Sequence, residues 1–248
     1  MKKVVALLGS KRRGNTYHLL IQIKALLAEN DVDLEIIELY RFEIKDCAGC
    51  TVCVSKGSCI LSDDVPQIME QLVKADGIIL ASPVYLQQVS GKIKTFIDRT
   101  CSWYHRPALT KKPILCVATT KGSGLKATLS YLQNVATQWG ALNAGAIGRT
   151  IFNLEKHVGK REIAKFLQLL DDPESYAPTL HQLIEFEVQK SLALTLSELD
   201  TAYWNAHNWS NQSYFYPCKR VPFKRAISGA IGNLMRKRMG KRNTDISH

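Results

Sequence analysis

Four cysteines lie close together in this chain, at a spacing that could bring their thiols to one point. The run is Cys47-x2-Cys50-x2-Cys53-x5-Cys59. Three thiolates at steps of three residues can converge on one small inorganic group, and a fourth can complete the ligation of an iron–sulfur cluster. A zinc site fits less well because only two residues separate the inner cysteines. A [4Fe-4S] cluster, a vicinal redox dithiol and chemically passive thiols therefore stay open as interpretations of this loop.

An upstream turn contains groups that bind anions. It spans Gly9–Thr16 and reads Gly-Ser-Lys-Arg-Arg-Gly-Asn-Thr, between an apolar run and the start of a helical pattern. Backbone N–H groups at a helix start, two hydroxyls, one amide and three cations are suited to a phosphate. The spacing matches neither a Walker A loop nor a dinucleotide-binding glycine fingerprint. We therefore interpret the turn as a phosphate site, and together with the cysteines it indicates a phosphate-bearing redox cofactor.

Apolar runs alternate with helical patterns over about the first 150 residues. The runs predict five strands, at Val4–Gly9, Leu34–Leu39, Gly77–Ser82 (with Pro83 marking its end), Ile114–Thr119 and Ala144–Ile151. The intervening patterns predict helices at Asn15–Ala28, after a cap at Asp63-Asp64, at Gly91–Thr100 and at Leu125–Trp139. Strands this apolar are buried on both faces, and their alternation with helices implies a parallel sheet with right-handed crossovers. We therefore predict an α/β fold, a flavodoxin-like, doubly wound, five-stranded parallel sheet of strand order 2-1-3-4-5.

The predicted loops that could bind a cofactor meet at one edge of this sheet. Gly9–Thr16, Ser82–Tyr85 and Thr119–Gly124 follow the first, third and fourth strands. Ligands in such sheets bind outside the carboxyl ends of the strands, where the strand order reverses. The cysteine loop follows the second strand, so we expect its thiols on the cofactor side as well.

Three motifs occur in an order that resembles one protein family. The Gly9–Thr16 turn is similar to the phosphate loop of NAD(P)H-dependent FMN reductases, a branch of the flavodoxin-like superfamily. A second signature of that family is matched by Ser82-Pro83-Val84-Tyr85, Gly91, Lys94 and Asp98-Arg99. Cys47–Asp64, with its trailing Asp-Asp pair, resembles the cysteine loop of the iron–sulfur flavoprotein subgroup. The likeness covers about residues 1 to 150, with a looser likeness through Trp204 and Trp209.

The resemblance implies FMN as the cofactor and assigns the residues that bind it. The phosphate would be held by the first loop, and the isoalloxazine ring would be bordered by the loops after the third and fourth strands. The predicted cofactor-binding residues are Ser10, Lys11, Arg12, Gly14, Asn15, Thr16, Pro83, Val84, Tyr85, Thr119, Thr120, Lys121, Gly122 and Gly124. The predicted metal ligands are Cys47, Cys50, Cys53 and Cys59. No catalytic residue is assigned.

The resemblance also implies an activity. It predicts an FMN-dependent NAD(P)H oxidoreductase that passes electrons to a small-molecule or protein acceptor, with electron transfer through a [4Fe-4S] cluster as one interpretation of the cysteine loop. A non-enzymatic flavin electron carrier or redox-sensing binding protein is the alternative from a different class. Flavin sites of the resembled family commonly lie at subunit interfaces, so a homodimer or homotetramer is expected.

Most of the net charge of +11 lies in the C-terminal tail. Lys219–Arg242 contains nine Lys and Arg residues and no acidic residue, so the remaining chain is nearly balanced. Nucleic-acid binding would depend on that tail alone and is not predicted. No stretch reaches the roughly twenty apolar residues of a membrane-spanning helix, so no transmembrane segment is predicted either. The apolar start is too short for a signal peptide, and we predict a cytoplasmic protein in which thiols stay reduced.

The strand–helix alternation stops at Glu155. Helical patterns follow at Lys156–Leu170 and Thr179–Leu199, and an aromatic, polar segment precedes the basic tail. We predict an FMN-binding domain at 1–155 and a helical extension at 156–248, packed on the same domain or on a dimer mate. A basic amphipathic tail that binds an anionic membrane surface or an acidic partner is the alternative.

Other groups with reactive side chains lie outside these motifs. Cys101, Cys116 and Cys218 do not fit the cluster spacing, and Cys116 falls in an apolar strand where burial is expected. His18 and His105 have no partner at a catalytic spacing, so we expect them to be surface or core histidines.

Overall fold

The computed structural model of this chain describes residues 1–217 and 222–245, with the side chains of the last helix described from Phe223 to Arg236. Cys218 and the first two basic residues of the tail lie outside the described residues. Within them, no helix is both long and apolar enough to cross a membrane.

Six strands form the central sheet, and five of them are parallel. The strands are β1 Lys2–Leu8, β2 Val32–Glu38, β3 Gly77–Tyr85, β4 Gln88–Val89, β5 Pro113–Thr119 and β6 Leu142–Arg149. Their order is β2-β1-β3-β5-β6, and the two-residue β4 pairs antiparallel with the end of β3. With the parallel strands numbered alone, this is the predicted order 2-1-3-4-5, so the predicted fold class is confirmed.

Ten α-helices lie in the described part of the chain. They are α1 Asn15–Ala28, α2 Val52–Ser55, α3 Val65–Lys74, α4 Gly91–Arg99, α5 Cys101–His105, α6 Leu125–Gln138, α7 Lys160–Asp171, α8 Leu180–Leu196, α9 Glu198–Ala206 and α10 Pro222–Asp245.

Helices cover both faces of the sheet because its strands are apolar on both faces. Alternate side chains of a strand point to opposite faces. Val4, Ala6 and Leu8 of β1 accordingly join a core cluster with α1 and α7, whereas Val5 and Leu7 join a second cluster with α3, α4 and α6. All five side chains are fully buried. This layering leaves the carboxyl ends of the strands free to form a site.

The third strand is longer than its sequence predicts. Pro83 was expected to end it, yet β3 continues to Tyr85. Val84 and Tyr85 pair with β4 across a two-residue turn whose residues, Leu86 and Gln87, both have positive φ angles of 47° and 66°. Such a turn matches the right-handed twist of the strands and closes a tight hairpin. The hairpin therefore extends the strand past a residue that locally opposes it.

The extension beyond the sheet is held by aromatic packing. The ring of Phe186 in α8 lies 5.3 Å from that of Trp204 and 4.8 Å from that of Phe215. All three rings are buried and belong to the cluster that also contains α1 and α7. The aromatic segment was not predicted to be helical, but α9 forms in it and brings Trp204 into this cluster. Burial of large rings, rather than local helical periodicity, thus organises the segment.

The described part of the basic tail packs on the same chain. α10 lies against α8 at Gly232, where any side chain would collide with the carboxylate of Glu187. Arg236 donates to that carboxylate at 2.9 Å and forms an ion pair with it. At least one of the tail's positive charges is therefore balanced within the fold.

Candidate functional site

A cavity of about 550 Å³ opens at the carboxyl ends of β1, β3 and β5. It is lined by Ser10, Arg12, Arg13, Gly14, Asn15, Thr16, Pro83, Val84, Tyr85, Thr119, Thr120 and Lys121. All but Arg13 are residues that the sequence predicts to bind the cofactor. The other three predicted residues, Lys11, Gly122 and Gly124, are not among those that line it. The fold thus brings three loops that are far apart in sequence to one cavity.

The first loop provides donors for an anion at the start of α1. Gly14 occupies the N-cap position and has no side chain to accept from the first-turn N–H groups, which leaves them available to a ligand. The hydroxyl of Ser10 donates to the backbone oxygen of Arg12 at 2.7 Å and tightens the turn. The hydroxyls of Thr16 and Thr119 lie 2.6 Å apart and join the first loop to the loop after β5.

The cations around this cavity differ in whether they already form an ion pair with a carboxylate. Arg13 forms an ion pair with Glu38 at 2.8 Å, and that hydrogen bond and charge hold the pKa of Glu38 below its usual range. Within the described part of the chain, neither Arg12 nor Lys121 has an ion-pair partner. A cavity with unpaired cations and open N–H groups attracts a dianionic phosphate.

Two glycines set the shape of the cavity by allowing close backbone approach. A side chain at Gly9 would collide with Ser90 and Ile93 at the start of α4, so glycine lets α4 lie against the end of β1. Gly124 has a φ of +88°, and a β-carbon there would lie 2.5 Å from the α-carbon of Gln87. Gly124 thus allows the loop after β5 to pack closely on the β3–β4 hairpin. It therefore shapes the cavity without lining it.

The residues that line this first cavity fit FMN, and we name it the flavin cavity. One end of the cavity offers the N–H groups and cations that a phosphate requires. The other end offers Pro83, Val84 and Tyr85 beside backbone amides, which suit the face and the polar edge of a flavin ring. Tyr85 is 49% exposed, so a bound ring would be reachable from solvent at the mouth.

A second cavity, of about 80 Å³, is lined by five cysteines. Four are the residues of the predicted loop, and the fifth is Cys101 from α5, which the sequence spacing left outside. The lining cysteines are Cys47, Cys50, Cys53, Cys59 and Cys101. Cys116 lies elsewhere, fully buried in β5 as predicted. The two cavities share no lining residue.

Left-handed backbone conformations fold the loop around its thiols. Gly49 and Gly57 have φ angles of +66° and +86°, and Thr51, at the N-cap of α2, has +57°. Glycine adopts such angles without the penalty that other residues incur. These reversals bend the chain between consecutive cysteines and let the short α2 carry Cys53 toward the cavity.

The thiols of this cavity influence one another. Burial, together with the nearby Cys59, raises the pKa of Cys53, and burial together with Cys53 raises the pKa of Cys101. Both thiols are therefore protonated at neutral pH and would release protons on binding a metal. Among the described residues, no three Cys, His, Asp or Glu side chains are arranged to hold one metal ion. An iron–sulfur cluster makes a different demand, because its cysteines surround the cluster instead of meeting at one atom.

A buried ion pair closes the stem of the cysteine loop. The side chains of Arg99 and Asp63 are both fully buried and form a hydrogen-bonded ion pair. Arg99 also donates to the backbone oxygen of Lys45 at 2.9 Å, and Asp63 accepts from the N–H of Lys45 at 2.9 Å. The chain entering the loop is thus tied to the chain leaving it.

The Asp-Asp pair does not cap α3 as simply as predicted. Asp64 occupies the N-cap position, but its side chain makes no capping bond and accepts from the N–H of Glu43 at 2.7 Å. Asp63 instead accepts from the N–H of Val65 at 3.1 Å. Both carboxylates are drawn toward the stem because it presents backbone N–H groups that need acceptors.

Replacing Asp63 by Asn should destabilise the protein at neutral pH by about 3–5 kcal/mol, since it leaves the buried Arg99 charge unpaired. Burial by itself would raise the pKa of Asp63, but hydrogen bonds from Arg99, Lys45 and Val65 outweigh it, and the pKa lies below its ordinary value of 3.8. The carboxylate therefore stabilises the fold above pH 3.8, and this stabilisation is lost as the pH falls through the lower folded-state pKa.

Urea unfolding of wild type and D63N between pH 7 and pH 3 measures this difference. The free energies of unfolding of the two proteins should approach each other as the pH falls below 3.8. Glu70→Gln is the control, because Glu70 forms an exposed pair with Lys74 and should change stability little. A D63N deficit that stays constant across this range would contradict the assignment.

A family comparison identifies the sheet-forming part of the chain. The model of the family described as NADPH-dependent FMN reductase matches residues 2–158. The chain belongs to this family. It is a flavin-dependent oxidoreductase of the iron–sulfur flavoprotein subgroup, as its motifs predicted.

Relatives support the subgroup. An iron–sulfur flavoprotein of Archaeoglobus fulgidus is 33% identical over 170 residues, covering 67% of this chain and 76% of the relative. One of Methanocaldococcus jannaschii is 34% identical over 135 residues, covering 53% and 70%.

Solved structures agree on the fold. The crystal structure of RosB with a bound flavin intermediate aligns with a TM-score of 0.53 at 13% identity, covering 90% of this chain and 92% of that one. A flavone reductase aligns with a TM-score of 0.53 at 16% identity, covering 71% and 66%. Identities this low support the fold alone.

Proposed function

We propose that this chain oxidises NAD(P)H with FMN and passes the electrons to an acceptor through a [4Fe-4S] cluster. The observation that carries the proposal is the pairing of two cavities in one chain. One fits a flavin phosphate and ring, and the other is lined by the four cysteines of the loop. FMN would supply the conversion of hydride transfer into one-electron steps.

The first cavity would bind and orient the flavin. Arg12 and Asn15, with the N–H groups of α1, would hold the phosphate, and Ser10 and Thr16 would maintain the turn. The β3–β4 hairpin would border the ring. The half-exposed Tyr85 lies at the mouth, where a nicotinamide must approach.

The second cavity would hold the cluster with Cys47, Cys50, Cys53 and Cys59. Arg99 also lines this cavity, so its positive charge would lie beside an anionic cluster. Ala48, Ile60 and Leu61 also line this cavity and would place apolar groups beside the cluster.

A homo-oligomer is proposed as well. Leu86 is fully exposed beside the flavin cavity, and Ile151 and Phe152, which follow β6 at the same edge, are 53% and 94% exposed. Exposed apolar groups gathered at one edge are typical of a surface that another chain covers. Light scattering of the purified protein measures the subunit number. The cytoplasmic location stays a prediction.

Protein purified without oxygen tests the whole proposal. We expect one FMN per chain, four iron and four sulfide, and steady-state oxidation of NADH or NADPH with ferricyanide or a quinone as acceptor. FMN and iron without turnover would favour the electron-carrier alternative. Absence of FMN would contradict the proposal outright.

A further inference from the structure

Arg106 contacts the backbone of the cysteine loop from outside it. This residue follows α5, and its guanidinium donates to the carbonyl oxygen of Cys53 at 2.6 Å and to that of Val54 at 3.1 Å. The same guanidinium forms an ion pair with Asp200. One cation therefore joins α2, which carries a predicted ligand, to a distant carboxylate.

That carboxylate comes from the extension. Asp200 lies in α9, outside the segment matched by the family model, and its side chain is completely buried. It also lies 3.0 Å from the Nδ1 atom of His105, which places this histidine in a structural contact and away from the flavin cavity. A buried carboxylate requires such partners, because an unpaired one is strongly destabilising.

Three further hydrogen bonds from the extension fix the chain around Arg106. Gln189 donates to the carbonyl of Tyr104 at 2.9 Å. The indole N–H of Trp204 donates to that of His105 at 2.8 Å, and the hydroxyl of Tyr203 donates to that of Pro107 at 3.0 Å. The carbonyls at the end of a helix lack helical partners, and here the extension supplies them.

We propose that Asp200 is a positioning residue for the cysteine loop. It holds the guanidinium of Arg106 in the one orientation that reaches both carbonyls of α2, and α2 in turn sets the position of the Cys53 sulfur. The extension thereby acts on the cluster site while contributing no lining residue to it. The benefit to a bound cluster depends on the function proposed above, whereas the ordering of the loop does not.

Hydrogen–deuterium exchange of the FMN-loaded, cluster-free protein tests the ordering. In Asp200→Asn, the amides of residues 52–56 should exchange roughly ten- to a hundred-fold faster than in wild type, as expected when a charge-assisted contact is lost. FMN affinity should not change. In reconstituted protein, the same variant should release iron to a chelator several-fold faster.

Glu187→Gln is the matched control, because Glu187 is also a buried carboxylate of the extension paired with an arginine, Arg236. It should leave exchange of 52–56 unchanged, even if it lowers overall stability. Should D200N fail to fold, Arg106→Lys replaces it, since a lysine cannot reach both carbonyls and the carboxylate together. Equal exchange of 52–56 in D200N or R106K and in E187Q would overturn the proposal. Failure of wild type to take up iron would contradict only the proposed cluster.

Discussion

Replacing Arg12 and Asn15 together by Ala should weaken FMN binding by about 100-fold or more while changing riboflavin binding little. Both residues line the flavin cavity at the loop that opens α1, and Arg12 has no ion-pair partner in the described part of the chain. Each hydrogen bond to a charged group contributes roughly 1.5–3 kcal/mol, and every 1.4 kcal/mol is about a tenfold change in affinity. Riboflavin lacks the phosphate, so it should lose none of these contacts.

Fluorescence titration of the FMN-free protein with each flavin measures the two affinities. Arg13→Ala is the control, because Arg13 lines the same cavity but directs its guanidinium to Glu38. Its effect on FMN should be much smaller than that of the double variant. Equal losses of FMN and riboflavin in the double variant would mean that the two residues maintain the fold of the loop and do not contact the phosphate.

Replacing any one of Cys47, Cys50, Cys53 and Cys59 by Ser should reduce the iron content to a small fraction of that of wild type. A cluster of this type takes one thiolate per iron, so loss of one ligand leaves one iron without its thiolate. FMN should be retained in every variant, because the two cavities share no lining residue. Iron and acid-labile sulfide are assayed after anaerobic purification.

Cys101 and Cys116 provide two controls, one in the cavity lined by the loop cysteines and one outside it. Cys116 is buried in β5, and the Cys116→Ser variant should contain as much iron as wild type. Cys101 lines the same cavity but lies outside the predicted spacing, so Cys101→Ser should also keep the iron content of wild type. Loss of iron in C101S, together with retention of iron in one of the four loop variants, would identify Cys101 as a ligand in place of that loop cysteine. Wild-type protein that contains FMN but takes up no iron on reconstitution would remove the cluster and leave the flavin oxidoreductase.

The sheet and the flavin cavity were predictable from sequence for local reasons. An apolar run followed by a polar turn marks the end of a buried strand, and the ends of parallel strands necessarily lie on one edge. The sequence alone therefore assigns the turn at Gly9–Thr16 and the Thr119–Gly124 loop to one site. Pro83 predicted the end of β3 two residues too early, because pairing of Val84 and Tyr85 with β4 outweighs the tendency of proline to end a strand.

The surroundings of the cysteines depend on tertiary structure. The spacing of the loop was visible in sequence, but Cys101 joins the same cavity only because α5 packs beside α2. Likewise, Arg106 and Asp200 are separated by 94 positions, and no periodicity relates them. Their pairing follows from burial of the aromatic cluster of α8 and α9, which brings Asp200 to Arg106.

The sequence by itself thus predicted the sheet with its strand order, the turn at Gly9–Thr16 and the four-cysteine loop, because each follows from patterns of neighbouring residues: apolar runs, a polar glycine-containing turn and closely spaced cysteines. Only the tertiary structure decided that five thiols share a cavity and that the extension holds the loop. Those features need groups from distant segments, and their positions are set by side-chain packing, which is not encoded in any local pattern.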